Sequence, residues 1–403
     1  MMIEEQKNNN FELSIVMPCL NEAETVGSCI TKAKSFLDSF GVSGEIILGD
    51  NGSVDSSVMI GQKLGARVVK VSQRGYGSAI YYATLAARGR YIIVGDSDDS
   101  YDFLNLMPFL DKLRQGYDLV MGNRFSGGIL PGAMPWKNRY IGNPVLTGIG
   151  RVFFRCPVKD FHCGLRGYSL AAFKRMHLRT MGMEFASEMV IKASILNMRI
   201  TEIPVTLSPS GRLRPSHLRP WRDGWRHLRF MLLYSPRWLF FYPGIFLIFL
   251  GSFLGSWLLR GPQLLFGVWL DIHTLLFCAA AVLVGFQSAF FTVLAKVFLV
   301  NSGLLPSNER FQKVFKYLNL ERGILTGTCL LVLGLFTAVF SFFEWRHAGF
   351  GVLNPSITMR SVIPSVLLII LGFQIVFASF FFSILGMNIQ GFEAWPQEAD
   401  NGK

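Results

Sequence analysis

Four long apolar segments in the second half of the chain constrain its fold more than any other feature. They contain no Asp, Glu, Lys or Arg and cover residues 238–259, 272–295, 324–343 and 361–386. An α-helix of about 20 apolar residues spans the hydrocarbon core of a bilayer. The sequence therefore predicts an α-helical membrane domain over residues 238–392 with four transmembrane helices.

Basic residues in the connections predict how this domain is oriented. The connection 301–323 carries four Lys or Arg residues, against one in 260–271 and two in 344–360. Cytoplasmic connections carry the excess of positive charge in membrane proteins. We therefore expect a multi-pass integral membrane protein whose N-terminal region and both termini, including a tail over 393–403, lie in the cytosol.

The N-terminal part alternates between strand and helix patterns. Short apolar runs such as LSIVMP at 13–18 and YIIVG at 91–95 are separated by longer segments with helical periodicity. This alternation predicts an α/β domain with right-handed crossovers and a site at the carboxyl ends of its strands. We place the domain at residues 12–203, after a flexible tail over residues 1–11.

Residues 204–237 form a basic segment between the two predicted domains. Trp221 and Trp225 are interleaved with arginines, and Asp223 is the only acid. Such a pattern predicts an amphipathic segment on an anionic membrane surface, and a solvated basic face would not need the tryptophans. The net charge of +12 is not accompanied by a nucleic-acid-binding motif, so we expect no nucleic acid partner.

The run YIIVGDSDDSYDF at 91–103 ends a predicted strand in carboxylates. Asp96, Asp98 and Asp99 follow Gly95 closely, and Asp102 lies slightly further on. Mg²⁺ and Mn²⁺ prefer oxygen ligands and often bridge one or two carboxylates to a phosphate. Alone, the run is equally compatible with a metal site and with a solvated acidic turn.

Three other polar residues have a structural and a functional interpretation. Asp50 follows the second strand and is either an Asx-turn residue or an acceptor for a base or ribose. Arg74 is either a surface residue or a phosphate contact. Glu188 lies in an apolar helix, where it is a surface acid or, as we prefer, anchors an arginine or orders the site.

Several segments, taken together and in order, resemble family-2 glycosyltransferases. SIVMPCLNEAETV is similar to their P-x-x-N-E opening, GDNGSVDSS to their DDGSTD turn, and GDSDDSYD to their DxD motif. DFHCGLRGYS is similar to the acceptor-side D-x-x-x-G-x-R segment, and MEFASEM and GRLRPSHLRPW extend the match. The resemblance covers about residues 12–240 and is strongest to polyisoprenyl-phosphate hexosyltransferases related to dolichyl-phosphate mannose synthase.

The resemblance implies a GT-A nucleotide-diphosphosugar transferase fold with a Rossmann-like mixed sheet. It implies that Asp96 and Asp98 hold the metal, Mg²⁺ or Mn²⁺, and that Arg124 and Arg139 grip a lipid phosphate in catalysis. The donor nucleotide sugar would be bound by Pro18, Asn21, Glu22, Asp50, Arg74, Arg212 and Arg214. The acceptor side would include Asp160, Arg166 and Glu188.

The implied function is a membrane-bound, inverting, metal-dependent hexosyltransferase. It would move a hexose from a UDP- or GDP-linked sugar to a polyisoprenyl phosphate such as undecaprenyl or dolichyl phosphate. The sugar, the nucleotide and the lipid length stay open, and the chain could form a homo-oligomer.

Three positions depart from the family pattern. Asn51 stands where a second aspartate is usual, Tyr76 where lysine is frequent, and Ser100 where a related group has a metal-binding glutamine. The last departure leaves the third metal ligand open between Asp99 and water.

Three other functions compete with this prediction. Processive polysaccharide synthases carry Q-x-x-R-W near the membrane entry, and here Arg237 and Trp238 match while Tyr234 replaces the glutamine. The membrane domain could instead flip a glycolipid past its few polar residues, Gln287, Gln374 and Asn388. A catalytically dead scaffold is the third, and the retained Asp50, Asp96 and Asp98 argue against it.

Overall fold

A computed structural model describes residues 11–212, 219–302, 304–305 and 320–386. Arg214, Asn388, the tail 393–403 and most of the basic connection 301–323 lie outside these ranges. The chain divides into two compact units between Ser235 and Pro236.

The N-terminal unit is built on one mixed sheet of seven strands. In spatial order the strands run β3-β2-β1-β4-β6-β5-β7, with β6 antiparallel to both neighbours and all other pairs parallel. The strands are β1 (Phe11–Cys19), β2 (Gly44–Asp50), β3 (Arg67–Lys70), β4 (Gly89–Val94), β5 (Leu119–Asn123), β6 (Arg166–Ser169) and β7 (Ile200–Pro204).

Nine helices, counted over the described part of this unit, cover the sheet and follow its strands. They are α1 (Val26–Ser39), α2 (Ser57–Lys63), α3 (Tyr76–Ala86), α4 (Met107–Arg114), α5 (Arg124–Gly127), α6 (Asn143–Phe154), α7 (Leu170–Met176), α8 (Phe185–Ile195) and α9 (Pro220–Tyr234). A π-helical turn, Asn138–Gly142, leads into α6.

The direction of β6 decides which loops share the functional edge of the sheet. Arg166, its first residue, pairs with Val94 at the end of β4 and with Met121 in β5. The loop that enters β6 therefore lies at the same edge as the carboxyl ends of the parallel strands. This edge collects the polar residues that follow β1, β2, β4 and β5.

Two element boundaries differ from the sequence prediction. Phe11 is already the first residue of β1, so the predicted tail extends one residue too far. The first helix begins at Val26 after Thr25, whereas the run NEAETV at 21–26, with acids after Asn21, predicts a helix capped by Asn21. Asn21 has a positive φ of 57° and uses its side chain to bind a neighbouring loop instead.

In its described residues the second unit contains four helices that are long and apolar enough to cross a membrane. They are α10 (Tyr242–Leu258), which a π-helical turn at Arg237–Phe241 extends at its start, α11 (Ile272–Asn301), α12 (Leu320–His347) and α13 (Pro355–Gly386). A hairpin of β8 (Gln263–Leu265) and β9 (Val268–Leu270) connects α10 to α11.

Close helix packing and one ion pair hold this unit together. A Cβ at Gly285 would lie 2.6 Å from the carbonyl oxygen of Gly244, so α10 and α11 touch through their backbones. Arg360 binds Asp271 and the carbonyl of Leu258, which joins three helix ends. Helix α13 begins at Pro355, six residues before the predicted apolar segment starts at residue 361. It can include Arg360 because the charge of this residue is paired with Asp271.

Candidate active site

The loops after β1 and β2 are joined into one wall of the site. The backbone amide of Asn21 donates to Oγ of Ser53 at 2.9 Å, and the amide of Val54 donates back to Oδ1 of Asn21 at 2.8 Å. The amide of Glu22 donates to Oγ of Ser57 at 2.8 Å. These bonds fix Asn21 and Glu22, both predicted donor-site residues, beside the end of β2.

Asp50 and Asn51 form the floor at the end of β2. Both are buried, and Oδ1 of Asp50 accepts from the amide of Ser53, three residues along the chain, at 3.0 Å, which closes the turn after β2. Nδ2 of Asn51 donates to the carbonyls of Val71 and Gln73, and its Oδ1 accepts from the amide of Gly75 at 2.7 Å. Asn51 thus holds the 71–75 loop with a donor that the usual aspartate lacks.

We expect Asn51→Asp to weaken this loop. An aspartate would point a carboxylate oxygen at the carbonyls of Val71 and Gln73, and a lost buried hydrogen bond costs about 1–3 kcal/mol. A lower melting temperature of the Asn51→Asp protein would follow, together with weaker binding of the nucleotide sugar that the resemblance of the motifs implies. Unchanged values in thermal unfolding and binding titrations would contradict this role of Asn51.

The acidic run after β4 divides into carboxylates with different partners. Oδ1 of Asp98 accepts from the Ser100 hydroxyl at 2.5 Å, and Oδ2 contacts the guanidinium of Arg212. Asp99 has a positive φ of 60° and turns to α1, where it pairs with Lys32 at 2.7 Å and Ser28 at 3.0 Å. Asp99 therefore serves as an anchor to α1, while Asp98 faces the site.

Asp96 lies deeper in the same run and is bound by Tyr76. The tyrosine hydroxyl donates to Oδ1 of Asp96 at 2.8 Å. Burial, with a contribution from the neighbouring Asp98 charge, raises the pKa of Asp96 to about 6. Gly164 lets the loop before β6 come close, since a Cβ there would lie 2.2 Å from Oδ2 of Asp96. Tyr76 thus replaces the frequent lysine with a neutral donor to this carboxylate.

Arg212 lies over the acidic run after β4 because the segment before Arg212 forms backbone hydrogen bonds to that run. The amide of Ser208 donates to the carbonyl of Ser100, and the amide of Gly211 to the carbonyl of Asp98, each at 3.0 Å. Nη1 of Arg212 then donates to Oε1 of Glu22 at 2.9 Å while Nη2 contacts Asp98. Predicted donor and metal residues from three distant segments therefore meet at one guanidinium.

Arg124 and Asp160 form a buried pair at the end of β5. Nε and Nη2 of Arg124 donate to the two carboxylate oxygens of Asp160, each at 2.7 Å, and the amide of Arg124 adds a third bond at 3.1 Å. The Asp160 side chain is fully buried and that of Arg124 nearly so. Two predicted site residues thus bind one another, which leaves Arg124 poorly placed to grip a substrate phosphate.

Arg166 and Glu188, both predicted on the acceptor side, are enclosed by the fold. Arg166 donates to the carbonyls of Cys163 and Ala186, which ties the loop before β6 to α8. Glu188 pairs with Lys192 at 2.9 Å and accepts from the amide of Thr180 at 2.8 Å. Glu188 therefore orders the segment before α8 and anchors a lysine, where an arginine had been expected.

The remaining predicted residues lie at the rim. Arg74 is exposed in the loop before α3, and the carbonyl of Pro18 accepts from Oγ of Ser97 at 2.7 Å. Arg139 is half-exposed in the π-helical turn, where its guanidinium lies 5.4 Å from the ring centre of Tyr140. No ion pair of Arg139 is found among residues 11–212 and the other described ranges.

A cluster of two histidines was missed by sequence reasoning. Oγ of Ser187 lies 2.8 Å from Nδ1 of His227 and 3.2 Å from Nε2 of His162. Asp223 and His227 are buried one turn apart on α9, so this helix binds α8 through polar groups. The i, i+4 spacing of Asp223 and His227 on the apolar side of α9 is the signal that could have revealed it.

Because of these histidines, we expect the packing of helix α9 to be less stable at acidic pH. Burial lowers the pKa of His227 from 6.5 to about 4, so the folded protein resists its protonation. Stability is then complete above about pH 6.5 and is lost as the pH falls toward 4, by at most about 3 kcal/mol. Hydrogen exchange of α9, after correction for the pH dependence of the intrinsic exchange rate, should accelerate between pH 7 and pH 5 in this protein, and much less in His227→Asn. Equal acceleration in both proteins would exclude His227 as the cause.

The comparisons with known proteins agree with the resemblance of the motifs. The model for glycosyl transferase family 2 matches residues 14–176, and that for the glycosyltransferase family 2 C-terminal transmembrane region matches 293–386. The low-salt glycan biosynthesis hexosyltransferase Agl6 of Haloferax volcanii is 36% identical over 93% of this chain and 89% of its own length. The chain belongs to glycosyltransferase family 2.

Other relatives are shorter or more distant. A dolichyl-phosphate hexose transferase of Haloferax volcanii is 30% identical over 48% of this chain and 82% of its own length. Dolichyl-phosphate beta-glucosyltransferase of Saccharomyces cerevisiae is 27% identical over 50% and 69%. A solved structure of glucosyl-3-phosphoglycerate synthase from Mycobacterium tuberculosis has a TM-score of 0.44 at 21% identity, over 56% of this chain and 80% of that one.

Membership in the family confirms three sequence predictions. The chain is a glycosyltransferase, its GT-A domain has the mixed sheet described above, and an α-helical membrane region follows it. The family-2 enzyme is therefore a membrane protein.

Proposed function

We propose that this glycosyltransferase transfers a hexose from a nucleotide-diphosphate sugar to a polyisoprenyl phosphate. The proposal rests on the acidic corner, the carboxylates of Glu22 and Asp98 that meet at the guanidinium of Arg212 beyond the strand ends. This corner belongs to a family-2 enzyme that also has a membrane region. The similarity to relatives named as dolichyl-phosphate hexose and glucosyl transferases supports a lipid phosphate acceptor.

The acidic corner fits a divalent cation. A guanidinium already bridges Glu22 and Asp98, so the carboxylates of this site attract positive charge. No group of three or more His, Cys, Asp or Glu side chains suited to a metal is found in the described parts of the chain. Mg²⁺ typically uses one or two carboxylates and completes its shell with water and substrate phosphates. Asp98, with Asp96 behind it, would hold Mg²⁺ or Mn²⁺ in that way.

The residues of the donor side would bind the nucleotide and then stabilise the leaving group. Asp50 and Asn21 would accept from hydroxyl and base donors of the nucleoside, and Arg212 would pair with the diphosphate. When bound, the metal would neutralise charge on the departing nucleoside diphosphate. The bond from the sugar carbon to the diphosphate breaks as a bond to the acceptor phosphate oxygen forms.

The acceptor itself needs little activation. A phosphate monoester is an oxyanion at neutral pH, so the nucleophile requires no strong general base. The protein has to bring two anions into line, which arginines do by binding phosphate oxygens. A single displacement of this kind inverts the configuration at the sugar carbon.

An exposed aromatic and basic surface on the N-terminal unit would present the lipid. Helix α9 leaves Trp221 88% and Trp225 58% exposed beside Arg222, Arg226 and Arg229, and it packs next to α6. Trp136 and Tyr140, next to Arg139, are also exposed. Tryptophan and arginine together favour the headgroup region of an anionic leaflet. The surface would lie on the cytosolic leaflet, with both termini in the cytosol.

Among the arginines, Arg139 is the one we assign to the lipid phosphate. It sits on this surface, where Nη1 donates to the carbonyl of Ile129 at 3.5 Å and no carboxylate among the described residues pairs with it, whereas Arg124 is paired with Asp160. Arg139→Ala should raise the KM for polyprenyl phosphate about tenfold or more, since a charge-assisted bond to phosphate contributes about 1.5–3 kcal/mol. The KM for the sugar nucleotide should change little in steady-state assays. A larger effect on the nucleotide would place Arg139 on the donor side.

The membrane unit is proposed to anchor the enzyme and to present the acceptor. In its described helices Gln374 donates to Gln287 at 3.3 Å between α13 and α11, and the hydroxyls of Ser365 and Thr337 bond to each other at 2.8 Å. A path for a sugar headgroup would need more polar lining than these pairs supply. A liposome flipping assay with the full-length protein is expected to show no transport of its own product.

The donor can be found by direct incubation. Membranes containing the protein would receive polyprenyl phosphate and radiolabelled UDP- or GDP-sugars, one at a time. We expect one of these donors to label a lipid product. Absence of labelled lipid with every donor, in membranes where the protein is folded, would contradict the proposal.

A further inference from the structure

Both oxygens of Asp98, the proposed metal ligand, are engaged by the chain itself. Oδ1 accepts from the hydroxyl and the backbone amide of Ser100, at 2.5 Å and 3.2 Å. Oδ2 contacts Nη2 of Arg212, whose Nη1 binds Glu22. A divalent ion that approached Oδ2 would therefore meet a positive charge already in contact with that oxygen.

The positive charge of the Arg212 guanidinium is only weakly screened by water. The side chains of Arg212, Asp98 and Glu22 are 13%, 11% and 7% exposed. Charges interact more strongly in such surroundings than at the surface. Free metal can bind Asp98 well only if the guanidinium moves away.

The docking of the segment before Arg212 allows that movement. Ser208 and Gly211 are held by backbone hydrogen bonds to Ser100 and Asp98, and Gly211 packs closely, since a Cβ would lie 3.1 Å from Cγ2 of Thr25. The backbone of this segment is thus fixed, whereas the guanidinium stands at the end of a long side chain with several rotatable bonds. The side chain can turn to a new partner while the segment stays in place.

We propose that Arg212 is an internal counter-ion that keeps free metal off Asp98 and exchanges onto the donor's diphosphate. The inference rests on the proposed function, because it takes the ligand to be a nucleoside diphosphate with a divalent metal. A diphosphate offers the planar guanidinium paired anionic oxygens. Its arrival releases Asp98, so metal and nucleotide bind with positive coupling, and the coupling is reciprocal.

The test measures Mn²⁺ binding without turnover. Electron paramagnetic resonance would report bound Mn²⁺ in titrations of the full-length protein in nanodiscs, alone and with UDP or GDP. In Arg212→Gln the side chain is neutral, and the affinity for Mn²⁺ without nucleotide should rise about tenfold, within the usual range of coupling between sites. The enhancement by nucleotide should shrink by a similar factor.

Two further variants make the result specific. Arg212→Lys keeps the positive charge and should bind Mn²⁺ alone as weakly as the unmodified protein does. Arg67→Gln removes an arginine that pairs with Glu45 at 2.7 Å on the far edge of the sheet, and it should change neither titration. A gain in Arg212→Gln that these two variants lack supports the counter-ion.

Two outcomes overturn the inference in distinguishable ways. If Asp98→Asn loses Mn²⁺ binding while Arg212→Gln keeps the original affinity and nucleotide enhancement, the counter-ion is wrong and the metal site stands. If Asp98→Asn binds Mn²⁺ as the unmodified protein does, the metal assignment of the proposed function fails and the counter-ion fails with it.

Discussion

Asp98→Asn is expected to lower the rate of sugar transfer on the order of 10³-fold, because metal stabilisation of the leaving diphosphate is worth several kcal/mol. Asp98 is the carboxylate that faces the site, and asparagine has nearly the same shape without the charge. The hydrogen bond from Ser100 and the pair between Arg212 and Glu22 can both persist. The variant should therefore remain folded and in the membrane, which thermal unfolding and sedimentation of membranes would check.

Asp102 provides the matched control for this substitution. It belongs to the same acidic run, is exposed, and accepts one backbone hydrogen bond from Leu104 at 2.9 Å. Asp102→Asn should keep transfer within about threefold, as surface substitutions away from special features usually cost less than about 0.5 kcal/mol. Retained transfer in Asp98→Asn, or in chelator, would rule out a metal at this corner.

Asp160→Ala is expected to be the most destabilising of the substitutions considered. It leaves the guanidinium of Arg124 buried without its partner, and breaking a buried ion pair from one side costs about 3–5 kcal/mol. The backbone amide of Arg124 would also lose its acceptor. A fall in the unfolding temperature of the N-terminal unit, followed by intrinsic fluorescence, should accompany poor expression.

A second variant separates the pair from the other bonds of Asp160. Arg124→Met with Asp160→Asn removes both charges together and should recover part of the stability, since no unpaired charge is then buried. Transfer would still be reduced, because the loop before β6 loses its attachment to the end of β5. If Asp160→Ala is as stable as the unmodified protein, the pair does not hold this edge of the sheet.

The sequence predicted those elements whose residues all lie in one kind of environment, either the protein interior or the lipid. Strands β1 and β4 are buried on both faces, so they appear as continuous apolar runs such as SIVM and YIIV. The membrane helices are equally clear because lipid tolerates no long run of charges. Strand β6 gave no such signal, since RGYS has four residues and begins with a buried arginine.

The candidate site could be predicted residue by residue but not pair by pair. Arg124 and Asp160 are 36 positions apart and meet only because β5 and β6 are neighbours in the sheet. Arg212 lies 114 positions from Asp98 and reaches it through two backbone hydrogen bonds that no motif records. The role of Asn51 was equally hidden in the sequence, because its Nδ2 donates to two carbonyls of the 71–75 loop that lie 20 and 22 positions away.

Under the proposed function, the enzyme transfers one sugar to the phosphate of a polyisoprenyl lipid. The most direct measurement offers the purified protein, with the active sugar nucleotide and Mn²⁺, either polyprenyl phosphate or the polyprenol of the same length, and weighs the products by mass spectrometry. We predict a product that carries one hexose with polyprenyl phosphate, no product with polyprenol, and none with Asp98→Asn. Transfer to polyprenol, or products that carry a series of added sugars, would contradict the account.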